Sequence, residues 1–212
     1  MHTEVLTTTQ LTVLDGLTAV PSVREFYLAG GTALALRHGH RRSVDFDFFR
    51  ATSFDQQELL LALERAFAEL ERLPTGERTL YVRLSGVTTT FFHYPYRQID
   101  NLEPTPWGFG LASDSDLAAM KIEAIAGRGS RKDFVDLRVL CRAGLTLDAA
   151  FDLFDRKYGA QRTDRYHRLR ALSYFDDAER EPMPDMLLPF DWEEAKRFFT
   201  AEATRLLAAG TS

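Results

Sequence analysis

The feature that most constrains the fold is a glycine pair followed closely by two alternating aspartates. Gly30-Gly31 ends a short apolar segment, and Asp45 and Asp47 lie in the next segment of alternating residues. A glycine turn lets backbone N–H groups approach a phosphate, and carboxylates two residues apart on a strand share a face and can hold one cation. The order of strand, glycine turn, helix and strand predicts a site for metal-assisted phosphoryl or nucleotidyl transfer.

The aspartate pair has a simpler interpretation, in which both side chains are solvated on a half-exposed strand. Aspartate is disfavoured in strands, however, and two on one face repel each other unless a cation lies between them. We therefore favour metal binding by Asp45 and Asp47. Ser43 lies on the same face, where its hydroxyl serves either a ligand or a turn.

Composition excludes several classes of protein. The net charge of −5 predicts no overall attraction to nucleic acid, so such binding would need a local patch. The single cysteine, Cys141, excludes an internal disulfide framework and a cysteine-rich zinc site. No apolar run approaches the roughly 20 residues of a membrane-spanning helix, and no secretory segment opens the chain. We expect a soluble cytoplasmic protein without membrane contact.

Hydrophobic periodicity predicts strands in the first half of the chain and helices in the second. The predicted strands are 26–29, 43–49, 78–84 and 87–94, and the predicted helices are 8–19, 32–38, 55–72, 114–127, 131–142, 146–158, 164–174 and 191–208. The prolines near residues 95–106 indicate a boundary. We predict an α+β fold with an α/β core at residues 1–106 and a helical lobe at 107–212, packed together.

Lys121 interrupts the apolar stripe of the helix predicted at 114–127. A buried lysine needs a partner, so it meets either a structural carboxylate or a ligand phosphate, unless it extends to the surface. Arg128 projects the same way if the helix continues through Gly127.

Asp133 and Asp136 follow on the next predicted helix. Asp133 stands three residues after Ser130, which is the position of a capping residue. Asp136 faces partly inward beside Leu137, where it serves either as the ion-pair partner of Lys121 or Arg128 or as a site residue.

Three basic groups stand out. Two flank the predicted site, at residues 37–42 and 128–132, and could attract a phosphate-bearing substrate. The third comprises Arg162, Arg165, His167, Arg168 and Arg170 and is read either as a solvated helix face or as an RNA contact.

These motifs together resemble the AbiEii-type nucleotidyltransferase family, within the DNA polymerase β-like superfamily. The resemblance rests on Gly-Gly-Thr-Ala-Leu-Ala-Leu, Gly-His-Arg-Arg-Ser-Val-Asp-Phe-Asp-Phe-Phe, Ala-Ala-Met-Lys and Gly-Arg-Gly-Ser-Arg-Lys-Asp-Phe-Val-Asp-Leu. It covers the chain from about Phe26 to Leu140. The paired motifs occur in the family's order, which makes the match fairly specific.

The resemblance implies a nucleotidyltransferase-like small mixed sheet followed by a helical lobe, with nucleoside triphosphate (NTP) as donor and Mg²⁺ as metal. Relatives include toxins that modify tRNA ends and are neutralised by an antitoxin protein. The residues implied for the site fall into three groups: Gly30, Gly31, Thr32, Ser43 and Arg128 for the triphosphate, Asp45 and Asp47 for the metal, and Lys121 with Asp133 or Asp136 to complete catalysis.

One departure from the family's pattern divides the functional hypotheses. Polymerase β-like enzymes carry a third carboxylate on a later strand, but the strand predicted at 87–94 contains no acid. Two-metal transfer needs enough anionic ligands to fix both ions. The first hypothesis is an Mg²⁺-dependent transferase acting on RNA, including tRNA, or protein hydroxyls. The second is a catalytically weak nucleotide- or protein-binding module, and a third is kinase-like phosphoryl transfer.

Overall fold

The polypeptide divides into two units, one built around a sheet and the other built of helices. The computed structural model describes residues 1–74, 76–159 and 164–209. The first unit contains Met1–Arg97 and Asn101–Ser113, and the second contains Gln98–Asp100 and the chain from Asp114 onward. The predicted α+β fold is confirmed.

The first unit contains a mixed sheet of seven strands within the described residues. They are β1 (Tyr27–Ala29), β2 (Phe46–Arg50), β3 (Leu70–Arg72), β4 (Thr79–Leu84), β5 (Val87–His93), β6 (Glu103–Pro104) and β7 (Gly110–Leu111). Their order across the sheet is β3-β4-β5-β2-β1-β7-β6. Strand β2 is antiparallel to β1 and parallel to β5. The sequence did not indicate the short strands β6 and β7, and β7 extends this sheet beyond residue 106.

Three helices accompany the sheet: α1 (Thr8–Leu17), α2 (Gly30–His38) and α3 (Gln56–Ala66). Helix α2 connects β1 to β2 and contacts both strands, while α1 and α3 contact each other and the strands β5 and β4 respectively. Phe46, Phe48 and Phe91 alternate onto one sheet face and are fully buried. Burying each such side chain stabilises the fold by about 1.5–3 kcal/mol, so this face forms the core of the unit.

The helix predicted at 55–72 ends six residues early. Asp55 begins it as predicted, because its carboxylate accepts hydrogen bonds from the backbone N–H groups of Gln57 and Glu58. Phe67 then takes an extended conformation and its ring lies against Gly16 of α1. The chain continues as β3, which pairs with β4. Tertiary packing of Phe67 and strand pairing therefore override the helical pattern of residues 67–72.

The second unit is helical over its described residues. Its helices are α4 (Asp114–Gly127), α5 (Arg131–Arg142), α6 (Leu147–Tyr158), α7 (Arg165–Ala171), α8 (Asp176–Glu179) and α9 (Trp192–Ala209). Helix α4 packs against α5, α6 and α7. The ring of Phe134 lies within 6.0 Å of those of Phe175, Trp192 and Phe199, which joins α5 to α9. The helix predicted at 164–174 is shorter, and α8 was not predicted.

Within the described ranges, we find no helix that combines the length and the apolar character needed to cross a membrane.

Candidate active site

The glycine pair forms the junction between β1 and α2. Gly30 has φ +69°, a left-handed conformation that side chains other than glycine rarely adopt. It is also the first residue of α2, so the helix begins directly at the turn. The backbone N–H groups of the first helical turn have no partners within the helix, and they favour an anion at this end.

Asp47 lies on β2 directly beside this turn. It is paired in register with Ala29 of β1 and with Thr90 of β5. A Cβ atom placed on Gly30 would lie 2.6 Å from Oδ2 of Asp47. Only glycine therefore allows the turn and the carboxylate to approach this closely. The glycine pair and the aspartate pair of the sequence motif are therefore in direct contact, through Gly30 and Asp47.

Asp45 lies immediately before β2, whose first residue is Phe46. Asp45 and Asp47 are both half-buried. The strand predicted at 43–49 begins three residues later, at Phe46, so Ser43 and Asp45 precede it, and the Val44 side chain is 74% exposed.

Two hydrogen bonds fix the backbone that precedes β2. The Thr32 hydroxyl donates to the carbonyl of Asp45, and Nε2 of Gln10 donates to the carbonyl of Ser43 at 2.7 Å. Thr32 and Gln10 are buried. The Ser43 hydroxyl lies 3.2 Å from where a Cβ of Gly31 would be. Thr32 and Ser43 therefore lie at the turn, as the motif indicated, and Thr32 is engaged with Asp45.

Arg41 is a neighbour of the turn that spacing alone did not single out. Its side chain is buried, it donates to the carbonyl of Arg42 at 2.9 Å, and its other terminal nitrogen lies against Gly31. The sequence placed Arg41 only in a basic group beside the glycine pair. No periodicity distinguishes it from Arg42, which is exposed.

Strand β5 contributes no acid beside the aspartate pair. Thr90 occupies the position in register with Asp47, as expected from a strand that lacks acids. Among the described residues, no group of three or more histidine, cysteine, aspartate or glutamate side chains could hold a metal ion. Two half-buried carboxylates do fit Mg²⁺, which commonly binds through one or two carboxylates together with substrate phosphates and water. This donor set fits one such ion better than two.

The second unit contains a buried cluster around Lys121. Its Nζ lies 2.9 Å from Oδ1 of Asp133 and 2.6 Å from Oδ2 of Asp136. The Lys121 side chain is 5% exposed and both aspartates are fully buried, so the alternative that Lys121 extends to the surface is wrong. Of the partners considered for Lys121, the structural carboxylate is the one observed.

Asp133 has a second cation, Arg128, whose Nε and Nη2 donate to it at 2.8 and 3.0 Å. Burial by itself would raise the pKa of Asp133, but Lys121 and Arg128 outweigh it and hold the pKa below its usual value. The Arg128 side chain is 60% exposed. Arg128 therefore links the buried cluster to the surface.

The expectation that Asp133 caps helix α5 is wrong. Ser130 precedes the helix but its side chain makes no capping hydrogen bond to it. Glu181 takes that role from a distant loop, accepting from the Ser130 hydroxyl at 2.6 Å and from the backbone N–H of Arg131 at 2.9 Å. This leaves the Asp133 carboxylate available to Lys121 and Arg128.

The structure thus gathers the proposed site residues into two groups. Gly30, Gly31, Thr32, Ser43, Asp45 and Asp47 lie together in the first unit, and Lys121, Arg128, Asp133 and Asp136 lie together in the second.

Other buried charges in the second unit were not foreseen. Nζ of Lys157 lies 2.6 Å from Asp116, which also accepts hydrogen bonds from the backbone of Ile99 and Asp100. Arg168 belongs to the third basic group but is 1% exposed and contacts Asp155 at 2.9 Å and the ring of Phe154. The solvated-face interpretation therefore fails for Arg168. Arg162, of the same group, lies outside the described residues.

Known proteins are similar to this chain over nearly its whole length. The model of the nucleotidyl transferase AbiEii toxin family, of the type IV toxin–antitoxin system, matches residues 12–107 and 109–207. An uncharacterized protein of Aquifex aeolicus (strain VF5) is 37% identical over 202 residues, covering 93% of this chain and 96% of that protein.

Two solved structures share the fold at low sequence identity. JHP933 from Helicobacter pylori is 16% identical with a TM-score of 0.57, covering 92% of this chain and 88% of that one. The nucleotidyltransferase toxin MenT4 from Mycobacterium tuberculosis H37Rv is 19% identical with a TM-score of 0.58, covering 92% and 82%. Because the family model matches nearly the whole chain, we conclude that the chain belongs to the AbiEii family of nucleotidyltransferase toxins.

Proposed function

We propose that this protein transfers a nucleoside monophosphate from an NTP to a hydroxyl group of RNA, with tRNA as the first acceptor to test. The observation that carries the proposal is the contact of the Asp47 carboxylate with Gly30 at the first turn of α2. A carboxylate thus lies beside backbone N–H groups that are suited to bind phosphate. An NTP with its divalent cation needs both.

In this proposal each group at the turn has a distinct role. The backbone N–H groups at Gly30 and Gly31 bind phosphate oxygens, with Ser43 as a further donor. Asp45 and Asp47 would hold Mg²⁺, which when bound neutralises charge on the phosphates. Thr32 fixes the backbone of Asp45 through its hydrogen bond to that carbonyl.

The transfer itself breaks one bond and forms another. The acceptor hydroxyl attacks the α-phosphorus, the bond to the bridging oxygen breaks, and pyrophosphate leaves with the electron pair. Because β5 offers no acid, the hydroxyl proton passes to solvent. We further propose an antitoxin protein as the natural partner.

Labelled nucleotides test the proposal directly. The protein is incubated with each α-labelled NTP, Mg²⁺ and bulk tRNA, beside the variants Asp45→Asn and Asp47→Asn. We expect label on RNA, reduced by about 100-fold or more in either variant, since one lost electrostatic group costs on the order of 10²–10³ in rate. Asp152→Asn, an exposed aspartate of α6, is the charge-matched control and should keep full activity.

The absent acid on β5 favours a second candidate, a nucleotide-binding module without efficient transfer. Binding of NTP that Asp47→Asn weakens, with no α-label on RNA or on added protein, would support this module and contradict the transferase. Movement of a γ-label instead of an α-label would identify kinase-like chemistry.

A further inference from the structure

A cleft of about 510 Å³ lies in the second unit beside the C-terminal end of α4. One wall is formed by residues from Ile125 to Gly129, and the other by residues from Tyr166 to Asp177. His167 joins the two walls, with its Nε2 3.2 Å from the carbonyl oxygen of Ala126. The volume lies within the roughly 300–1,000 Å³ of small-molecule sites.

Two tyrosines expose their rings at this cleft. Tyr166 and Tyr174 are 55% and 51% exposed, and both line the cleft. Among the large hydrophobic residues that the described ranges leave exposed, only these two are aromatic. Exposed aromatic rings in a cleft are the surfaces on which unpaired nucleic-acid bases stack, at about 1–3 kcal/mol per base.

Cations accompany the rings. Arg128 and Arg170 line the cleft, and the guanidinium carbon of Arg170 lies 5.9 Å from the centre of the Tyr166 ring. Asp177 is the acidic residue of the described lining, and it accepts a hydrogen bond from Arg180 at 3.3 Å. The cleft therefore offers flat aromatic surface with positive charge, although the whole chain carries a net charge of −5.

The wall formed by residues from Ile125 to Gly129 leaves room for a planar group to reach the backbone. A Cβ added to Gly127 would have no atom within 4 Å, and Gly129 has φ +59°. The two glycines that flank Arg128 therefore present no side chain to the cleft. An unpaired base with its phosphates matches this combination better than a peptide does, because a peptide would need an apolar floor for its side chains.

We propose that this cleft binds the unpaired end of a single-stranded nucleic acid, with a base on Tyr166 and Tyr174 and phosphates on Arg128 and Arg170. The proposal rests on the function proposed above, since it identifies where the acceptor strand is held. Arg128 connects the cleft to the buried cluster of the same unit, because it lines the cleft and also donates to Asp133 at 2.8 Å.

Binding is tested without NTP or Mg²⁺, by fluorescence anisotropy with a labelled eight-nucleotide RNA. We expect Tyr166→Ala and Tyr174→Ala each to weaken binding by roughly tenfold or more, and Tyr166→Phe to retain it, because stacking needs only the ring. Arg170→Gln should lower the salt dependence of the affinity by about 0.7 in log–log slope. Leu188→Ala changes an exposed residue that is not part of the cleft lining; it is the control and should bind normally.

Equal affinity of the alanine variants and the unaltered protein would overturn the proposal. So would equal binding of an abasic oligonucleotide, which would show contact with phosphates alone. Binding of single-stranded DNA at the RNA level would support the cleft and show that it does not select the sugar.

A transfer assay separates this proposal from the proposed function. If Tyr166→Ala and Tyr174→Ala modify RNA as efficiently as the unaltered protein, the cleft is not the acceptor site although the transferase stands. If RNA binds through the tyrosines but no NTP is transferred, the cleft stands and the transferase fails.

Discussion

The two groups of candidate site residues differ in how their charges are balanced. Asp45 and Asp47 are half-buried beside a glycine turn, where a ligand can supply the positive charge. Asp133 and Asp136 are fully buried, and Lys121 already contacts both of them. A half-buried pair contributes little to folding but can bind an ion, whereas removing one partner from a buried ion pair leaves an uncompensated charge and is strongly destabilising. Changes in the first group should therefore affect activity, and changes in the second should affect stability as well.

The largest effect on stability is expected from Lys121→Met. This change leaves two buried carboxylates without Lys121, while Arg128 still donates to Asp133. Breaking a buried ion pair costs about 3–5 kcal/mol. Urea unfolding should show this loss in the midpoint of the transition. The family resemblance also implies a catalytic role for Lys121, and a fall in activity per folded molecule would support that role.

The pair of Lys157 and Asp116 provides the matched control. It is buried in the same unit at 2.6 Å, so Lys157→Met should destabilise the protein by a similar amount. Its activity per folded molecule should stay near that of the unaltered protein. Equal loss of activity in both variants would show that Lys121 acts only through folding.

Gly30→Ala should have the next largest effect on stability, and it tests the contact between Gly30 and Asp47 in the first unit. A left-handed conformation costs a non-glycine residue about 1–2 kcal/mol, and the new Cβ would also displace the Asp47 carboxylate. We expect a stability loss near 2 kcal/mol and a strong loss of transfer.

Gly86→Ala isolates the contribution of that contact. Gly86 has φ +85° in the turn between β4 and β5, and its added Cβ would meet no atom within 4 Å. It should lose stability through the backbone alone and keep its activity. If the two variants transfer equally well, the proximity of Gly30 to Asp47 has no role in catalysis.

The same contrast explains how much could be predicted from sequence. Glycine at positive φ, alternating residues on a strand and capping by Asp55 are local effects, so the turn, β2 and the start of α3 were foreseen. Arg41, the early end of α3 at Phe67 and the capping of α5 by Glu181 depend on residues distant in sequence. For Lys121, the sequence showed that a partner was required, but only the fold identified Asp133 and Asp136.

Acid should affect the buried cluster in a defined direction. The pKa of Asp133 in the folded protein lies below its unfolded value of about 3.9. Its stabilisation is therefore complete above about pH 4 and is lost as the pH falls through the folded pKa, at about 1.4 kcal/mol per pH unit. Below pH 4, Asp133→Asn should show a shallower decline of unfolding free energy than the unaltered protein.

Asp148→Asn is the exposed counterpart of that variant. The Arg205 hydrogen bond lowers the pKa of Asp148, but the pair is about half exposed, and such pairs contribute about 0.2–1 kcal/mol. Its acid unfolding curve should nearly match that of the unaltered protein. A match for Asp133→Asn as well would contradict the buried-cluster interpretation.

The smallest effect is expected from Thr32→Val, which removes the hydroxyl that donates to the Asp45 carbonyl while keeping the side-chain shape. Loss of one such bond costs about 1 kcal/mol, whereas Thr12→Val, at an exposed hydroxyl bonded to the Thr8 carbonyl at 3.0 Å, should cost less. If Thr32 acts only through Asp45, kcat should fall modestly while KM for NTP stays constant. A large rise in KM without loss of stability would instead show that this hydroxyl binds the triphosphate. The residues at the glycine turn would then bind NTP through side chains as well as through the backbone.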